Sequence, residues 1–268
     1  MRADPLTTAI DDGVPLVVLS PHLDDAVLSC GALMLHAITR VPVTVATFFT
    51  EASPRPYTFS ARRYLRQVRA SDAEALYRAR RAEDQAVLER MGVEWLHLGL
   101  TEGLFRRRNG RSSGGARLAL PELDHVYPTY RLHLSTGRIS AHDAGTLRRV
   151  REIVESLAAP QPRLLLAPTA VGGHADHLLV RTAAEASRKP VVYYSDFPYN
   201  QRHSVDIVFA RRNALVETVW QRGLPAKAEL VSAYRTQSDA LFPGGAVPLV
   251  PEIYLKAHVP AAREAEVS

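Results

Sequence analysis

The sequence contains few of the features that usually narrow a function: it has one cysteine, three lysines and no long apolar run. Because Cys30 has no second cysteine to pair with, no disulfide forms within the chain, and extracellular export gains no support. Its place after the apolar run 26–28 predicts a buried helix cysteine. No stretch approaches the roughly 18 apolar residues of a membrane span. Residues 1–12 lack the basic-then-apolar pattern of a signal peptide, so we expect a cytoplasmic protein.

The basic balance of the chain does not point to a nucleic-acid partner. The formal net charge is +5, but nearly all of the basic residues are arginines, since lysine occurs only at 189, 227 and 256. Abundant Arg together with Ala, Val and Leu is typical of the coding bias of a GC-rich genome, in which surface arginine is a default choice. We therefore expect no nucleic-acid binding, and strong salt dependence of DNA affinity would contradict this expectation.

Short apolar or β-rich runs alternate with helical patterns along most of the chain. The predicted strands are 16–19, 43–49, 95–98, 164–166 and 191–194. Helices are predicted at 26–38, with Asp25 as the cap, between 60 and 91, at about 143–157, and from about 177. This alternation predicts an α/β fold: a Rossmann-like three-layer sandwich with a mostly parallel sheet, in a single domain spanning 1–268.

Two regions break this alternation. The C-terminal part is irregular, with predicted strands at 205–210, 216–220 and 253–259 and a predicted helix at 226–241. The excursion at about 101–141 has glycines at 110, 114 and 115, which predict a flexible tip. Its length exceeds the roughly 12 to 15 residues usual for an unstructured connection, which favours a lid or binding loop. Tyr127, Tyr130 and Arg131 could then contact the ligand; the alternative is a solvated insertion without a role.

The first cluster of chemically active side chains, His22, Asp24 and Asp25, directly follows the first predicted strand. Ligands of open α/β sheets bind outside the carboxyl ends of the strands. A dinucleotide-binding fold would place a glycine-rich GxGxxG loop here, and this chain places an imidazole and two carboxylates instead. The position therefore argues against NAD and favours metal or acid–base chemistry.

A second cluster, His174, Asp176 and His177, follows the fourth predicted strand at the equivalent position. Each cluster alone has an ordinary structural interpretation, such as a turn, a helix cap or a loop histidine. Together they lie at the same edge of one sheet and can converge on one ion. Catalytic zinc takes three ligands from His and Asp or Glu and keeps one position for water. Two His and a carboxylate also suit Fe²⁺.

These clusters resemble the signature motifs of the PIG-L (LmbE-like) deacetylases. Residues 21–26, Pro-His-Leu-Asp-Asp-Ala, are similar to the PHPDDE motif of that family, and residues 174–177, His-Ala-Asp-His, are similar to its HPDH motif. Supporting similarity at 80–84, 98–100, 194–199 and 234–237 extends the resemblance over roughly 15 to 255. The HLDDAVLS stretch most resembles the subgroup that includes deacetylases acting on sugars of glycopeptide antibiotics.

The resemblance implies a role for each matching residue. His22, Asp25 and His177 would bind one zinc ion per chain. Asp24 would be the general base. His174, as a cationic imidazole, would polarise the carbonyl or stabilise the oxyanion, and Asp176 would support His174. Leu23, Ala26 and Ala175 depart from the motifs at positions that are not needed as ligands.

Three further residues are candidates for substrate binding: Arg80, Glu102 and Tyr199. Arg80, together with Arg81, also fits a salt-bridged helix face, and Tyr199 also fits a packing role. Glu102 stands where the family commonly has an aspartate, a substitution that bears on recognition of sugar hydroxyls.

The resemblance implies a metal-dependent hydrolase that removes an N-acyl group, most simply N-acetyl, from a glucosamine-type sugar on a larger aglycone. One alternative is an amidase of a thiol-sugar conjugate that uses the same metal site. The other is a non-catalytic carbohydrate-binding protein, for which a base beside the metal would have no use. The aglycone, the acyl length and the oligomeric state stay open.

Overall fold

The computed structural model describes residues 5–108, 120–159 and 162–257, and within them the chain forms a seven-stranded sheet. The strands are β1 (Leu16–Ser20), β2 (Val43–Glu51), β3 (Glu94–Thr101), β4 (Leu164–Pro168), β5 (Val191–Tyr194), β6 (Leu215–Trp220) and β7 (Glu252–Ala257). Their order in the sheet is β3-β2-β1-β4-β5-β7-β6. The five strands β1 to β5 are parallel, whereas β7 runs antiparallel to both β5 and β6. The mostly parallel sheet is as predicted.

Helices cover both faces of the sheet. They are α1 (Pro5–Asp11), α2 (Asp25–Ala37), α3 (Phe59–Gln67), α4 (Ala73–Met91), α5 (Pro121–Asp124), α6 (Ala144–Leu157), α7 (Ala175–Ala186), α8 (Ile207–Arg212), α9 (Leu224–Val231) and α10 (Arg235–Leu241). Along β1, Leu16 and Val18 pack with α2, α4 and α9, whereas Val17 and Leu19 pack with α6 and α7. Because successive side chains of a strand point to opposite faces, the continuous apolar run of β1 fills both cores. The predicted three-layer sandwich is confirmed, and Cys30 is buried in α2.

The C-terminal part differs from the sequence prediction at two elements. Residues 205–210 are not a strand: Asp206 accepts hydrogen bonds from the backbone N–H groups of Val208 and Phe209 and starts helix α8. The predicted helix at 226–241 is two helices, since α9 ends before the buried Tyr234 and α10 begins after it. The predicted strands at 216–220 and 253–259 appear as β6 and β7, and residues 258–259 lie outside the described residues.

The described part of the excursion is partly buried and partly exposed. Leu104, Phe105, Tyr127 and Leu134 are buried in a third apolar cluster, together with residues of α3 and α4. The predicted flexible tip at 110–115 lies outside the described residues. Through these four residues the excursion packs against α3 and α4. No helix among the described residues is both long enough and apolar enough to cross a membrane.

Candidate active site

The two motifs meet at the point where the strand order reverses. Strands β1 and β4 are neighbours, and the chain leaves them toward opposite faces: α2 packs in the first core, α7 in the second. A crevice therefore opens between their carboxyl ends, which is where open α/β sheets bind ligands. Residues 22–25 follow β1 into this crevice, and residues 169–177 follow β4.

The turn after β1 directs both aspartates toward the crevice. The Ser20 hydroxyl donates to the His22 carbonyl (2.7 Å) and accepts from the Ala26 backbone N–H (3.1 Å). Asp24, rather than the predicted Asp25, occupies the N-cap position of α2, and its side chain makes no capping bond. Asp25 is the first helical residue, and its Oδ2 accepts from the His22 backbone N–H (2.9 Å). The helix start therefore leaves the carboxylate of Asp24 available for chemistry.

The turn after β4 depends on glycine. Gly172 and Gly173 have φ of 83° and 70°, the left-handed region that favours glycine. A Cβ on Gly173 would lie 2.7 Å from the backbone nitrogen of Gly137, so no side chain fits there. The close approach also lets the Gly137 N–H donate to the Gly173 carbonyl (2.9 Å). This turn places His174 at the N-cap of α7, which begins at Ala175, two residues earlier than predicted.

Three donor atoms form a nearly equilateral triangle in the crevice: His22 Nδ1, Asp25 Oδ2 and His177 Nε2. Their separations are 3.2 Å for His22–Asp25, 3.3 Å for His177–Asp25 and 3.3 Å for His177–His22. Ligands at about 2.0–2.1 Å from a tetrahedral ion lie about 3.3 Å apart, so the triangle fits one divalent ion.

The ring of His174 lies close to the triangle. One nitrogen from each of His22, His174 and His177 lies within 4.8 Å of the others, so a grouping of three imidazoles is a second possible ligand set. We favour the set that contains Asp25, because all three of its separations match the tetrahedral spacing.

The other nitrogen of each imidazole in the triangle contacts a buried carboxylate. His177 Nδ1 lies 2.6 Å from Asp196 Oδ1, and His22 Nε2 lies 3.2 Å from Asp176 Oδ2. The second oxygen of Asp196 accepts from the Thr169 hydroxyl (2.7 Å) and from the backbone N–H of Val171. Such carboxylate partners set the tautomer and orientation of metal-binding histidines. Both rings are therefore oriented with one nitrogen toward the triangle.

His174 lies beside the triangle, and its surroundings favour a neutral ring over the expected cationic imidazole. Its Nδ1 accepts a hydrogen bond from the backbone N–H of Asp176 (3.2 Å), which leaves the ring proton on Nε2. Burial, and then the neighbouring His22, lower the pKa of His174 well below its ordinary value, so the ring is neutral. The carboxylate of Asp176 faces His22 rather than the ring of His174. Asp176 thus contacts His174 through its backbone.

Asp24 lies beside the triangle and is 8% exposed. Burial, followed by the charge of Asp25, raises the pKa of Asp24 well above its ordinary value, and Arg80 and His22 oppose this. Perturbed carboxylates of this kind cluster at functional sites. Asp24 is therefore a group that can exchange a proton at this edge of the sheet.

The three predicted substrate-binding residues line the pocket around the triangle, whose volume is about 130 Å³. Burial raises the pKa of Glu102 to about 7. The guanidinium of Arg80 lies 5.6 Å from the ring centre of Tyr64, and its Nε is a buried donor with no partner among the described residues. Arg81, not Arg80, forms the helix-face salt bridge, at 2.9 Å from Glu51. Tyr199 is at the mouth, 39% exposed.

A larger cleft of about 710 Å³ lies on the other side of α3. It is lined by Arg62, Leu65 and Arg66 among others, and by no histidine or carboxylate. Size alone would favour this cleft. The chemistry favours the smaller pocket, because of the two it is the one that contains the donor triangle and the carboxyl groups whose pKa values are raised.

A family model described as PIG-L: GlcNAc-PI de-N-acetylase matches residues 17–187, which include both motifs that form the donor triangle. The chain belongs to the PIG-L family. The resemblance drawn from residues 21–26 and 174–177 is therefore confirmed. The PIG-L match covers β1 to β4 and α7, the elements that build the crevice.

A curated PIG-L relative, the 2'-N-acetylparomamine deacetylase of Streptomyces fradiae, is 30% identical over 208 residues. The match covers 74% of this chain and 62% of the relative, so the chain spans less than two thirds of that relative's length.

Two solved structures share the fold of this PIG-L chain. The zinc-inhibited form of teicoplanin deacetylase Orf2 has a TM-score of 0.68 at 23% identity, covering 92% of this chain and 100% of that one. The A40926 pseudoaglycone deacetylase Dbv21 has a TM-score of 0.67 at 23% identity, covering 94% and 100%.

Sequence reasoning assigned no role to Asp196 or Tyr64 in this PIG-L site. Asp196 was noted only as part of a supporting similarity, although its position after β5 at the same sheet edge is a signal that could have identified it. Tyr64 and Tyr130 line the pocket from α3 and from the π-helical turn Tyr130–Leu134. Tyr130 was considered in the excursion, but Tyr64 has no sequence signal beyond its helix.

Proposed function

We propose that this chain is a metal-dependent N-deacetylase that hydrolyses the acetamide of a glucosamine-type sugar on a larger aglycone. The donor triangle of His22, Asp25 and His177 carries the proposal, because its 3.2–3.3 Å separations suit a tetrahedral ion. The membership in the PIG-L family, and the deacetylases among its relatives, support the same chemistry.

Zinc is the proposed ion, held one per chain by those three residues. Two imidazole nitrogens and one carboxylate oxygen are a common catalytic zinc set, although Fe²⁺ also suits them. When bound, zinc supplies a Lewis acid that lowers the pKa of water to about 7 and polarises a carbonyl. Asp176 and Asp196 hold the two imidazoles in the orientation that this role needs.

The residues around the triangle supply the proton transfers. Asp24, whose pKa is raised by burial and by the charge of Asp25, accepts the proton of the attacking water and can return it to the departing amine. The Nε2–H of His174 faces the pocket, where it donates a hydrogen bond to the carbonyl oxygen on which negative charge develops. A neutral donor serves this purpose because the buried pocket strengthens its hydrogen bond.

The pocket suits the sugar end of a larger molecule. Its volume of about 130 Å³ is well below the roughly 300 Å³ at which pockets begin to enclose whole drug-sized ligands. Arg80 and Glu102 offer a buried donor and a carboxyl group to sugar hydroxyls, while Tyr130 and Tyr199, about 40% exposed, lie at the mouth. The aglycone therefore stays outside, against the mouth. Relatives act on teicoplanin and on 2'-N-acetylparomamine, which are candidate substrate types.

The test combines metal analysis with an amine-release assay. Apo protein prepared with a chelator is titrated with zero to five equivalents of Zn²⁺, since a relative was solved in a zinc-inhibited form. Amine release is measured with N-acetylglucosamine, 2'-N-acetylparomamine and an N-acetylglucosaminyl glycopeptide. We expect the rate of amine release to rise as Zn²⁺ approaches one equivalent. We also expect this rate to differ between the three substrates, because they carry different aglycones.

Alanine at His22, Asp25 or His177 should remove most of the metal. Alanine at the exposed His142 is the matched control, because it removes an imidazole outside the pocket. Full metal retention in all three site variants would refute the metal site. Stoichiometric metal without amine release from any N-acyl sugar would refute the deacetylase and favour a carbohydrate-binding protein.

A further inference from the structure

The segment that leaves β3 holds the carboxylate that contacts His22. The backbone N–H of Gly103 donates to Asp176 Oδ2 (2.8 Å), the oxygen that lies 3.2 Å from His22 Nε2. The Arg106 guanidinium donates to the other oxygen of Asp176. A Cβ on Gly103 would lie 3.2 Å from Asp176 Oδ1 and 2.5 Å from a methyl group of Leu134, so a side chain there would disturb this contact.

Arg106 is itself fixed from three sides. Its Nη1 lies 2.6 Å from Asp143 Oδ2, at the start of α6, and its Nε donates to the Thr101 carbonyl (3.0 Å). Its guanidinium carbon lies 4.7 Å from the ring centre of Phe49 on β2. Asp143 and Asp176 are 0% exposed and Arg106 is 6% exposed. A planar guanidinium can bond two carboxylates at once, which the point charge of lysine does less well.

We propose that Arg106 is a positioning residue that acts through Asp176 to hold His22 Nδ1 at the donor triangle. The inference rests on the proposed role of His22 as a metal ligand. The contacts run from Asp143 through Arg106 and Asp176 to His22 Nε2, and each is a direct hydrogen bond or ion pair. Losing the partner of a metal-binding imidazole typically weakens metal affinity by 10- to 100-fold.

A purely structural role predicts something different. If Arg106 only stabilised the fold, replacing it would lower the free energy of unfolding, because Asp143 and Asp176 would each lose a partner. The metal affinity of the folded protein would then stay unchanged. Metal affinity, measured on folded protein, therefore separates the two roles.

The experiment uses the full chain and Zn²⁺ in competition with a chromophoric chelator. We expect R106K, which keeps the charge, to bind zinc 10- to 100-fold more weakly than wild type. R107K is the matched control: Arg107 is the next residue, and its guanidinium donates to the Pro54 carbonyl outside the network. It should bind zinc like the wild type. Circular dichroism confirms that each variant is folded before titration.

A double-mutant cycle decides whether Arg106 acts through Asp176. If it does, R106K adds little further loss in a D176N background, since the route to His22 is already broken. Additive losses, or wild-type zinc affinity in R106K, would overturn the inference. If R106K does not fold, D143N is the substitute, because it removes the charge of the other carboxylate that holds Arg106. Wild-type zinc affinity in D143N would then overturn the inference. If the wild-type chain binds no zinc, it is the proposed function that fails.

Discussion

Replacing Glu102 with glutamine should stabilise the metal-free protein at neutral pH and not at acid pH. Burial raises the pKa of Glu102 to about 7 from an ordinary 4.5. The fold therefore favours the neutral carboxyl. The contribution of this carboxyl to the free energy of unfolding is fully present below pH 4.5 and is lost as the pH rises through 7. The difference between the two pKa values corresponds to about 3 kcal/mol of unfolding free energy. Glutamine has nearly the same shape and cannot ionise.

Urea unfolding of chelator-treated wild type and E102Q at pH 4.5, 6, 7 and 8 measures this effect. The gain in unfolding free energy of E102Q over wild type should grow from a small value at pH 4.5 to about 3 kcal/mol at pH 8. E122Q is a control of opposite sign, because the Phe59 N–H bond to Glu122 lowers the pKa of that carboxylate. One equivalent of zinc should shrink the gain, since a nearby cation favours ionised Glu102. A gain that is constant with pH would refute the reasoning.

The remaining predictions concern chemistry, metal and substrate. D24N should keep its zinc and lose turnover by about 10²- to 10⁴-fold, because an amide cannot take the proton; wild-type turnover in steady-state assays would rule Asp24 out as the base. D196N should bind zinc about 10- to 100-fold more weakly by chelator competition, since His177 loses its buried carboxylate partner, and unchanged affinity would contradict this. Y130A should raise KM for a glycopeptide substrate more than for free N-acetylglucosamine, because Tyr130 lies at the mouth; equal changes in both would place the aglycone elsewhere.

The sequence alone predicted the parallel strands of the sheet and the candidate reacting groups. Apolar runs such as residues 16–19 and 164–166 are long enough to be buried on both faces, and this local signal predicted β1 and β4. Parallel strands bring their carboxyl ends to one edge, so the imidazoles and carboxylates after them were expected to converge. Strand direction sufficed because both motifs follow the carboxyl ends of neighbouring parallel strands.

Local signals failed where the outcome depended on distant partners. The run 205–210 is β-rich, but capping by Asp206 and burial of Phe209 against Tyr193 make it a helix. A continuous helix at 226–241 was predicted, but Tyr234 turns inward to donate to Asp84, 150 residues earlier in the chain. Tyr193 and Asp84 lie outside the window of sequence on which such predictions rest, whereas the cap at Asp206 is a local signal within the run itself.

The environment of the site was decided by tertiary structure alone. The sequence shows three adjacent arginines at 106–108, and only the fold separates Arg106, which reaches Asp176, from its neighbour Arg107, which does not. The sequence also names Asp176 and Asp196 without saying which ring each one faces. The contact of Arg106 with Asp176, 70 positions later, forms only in the folded chain. The same is true of the burial that shifts the pKa values of Glu102 and His174. Motifs therefore named the candidate reacting groups, and packing determined their surroundings.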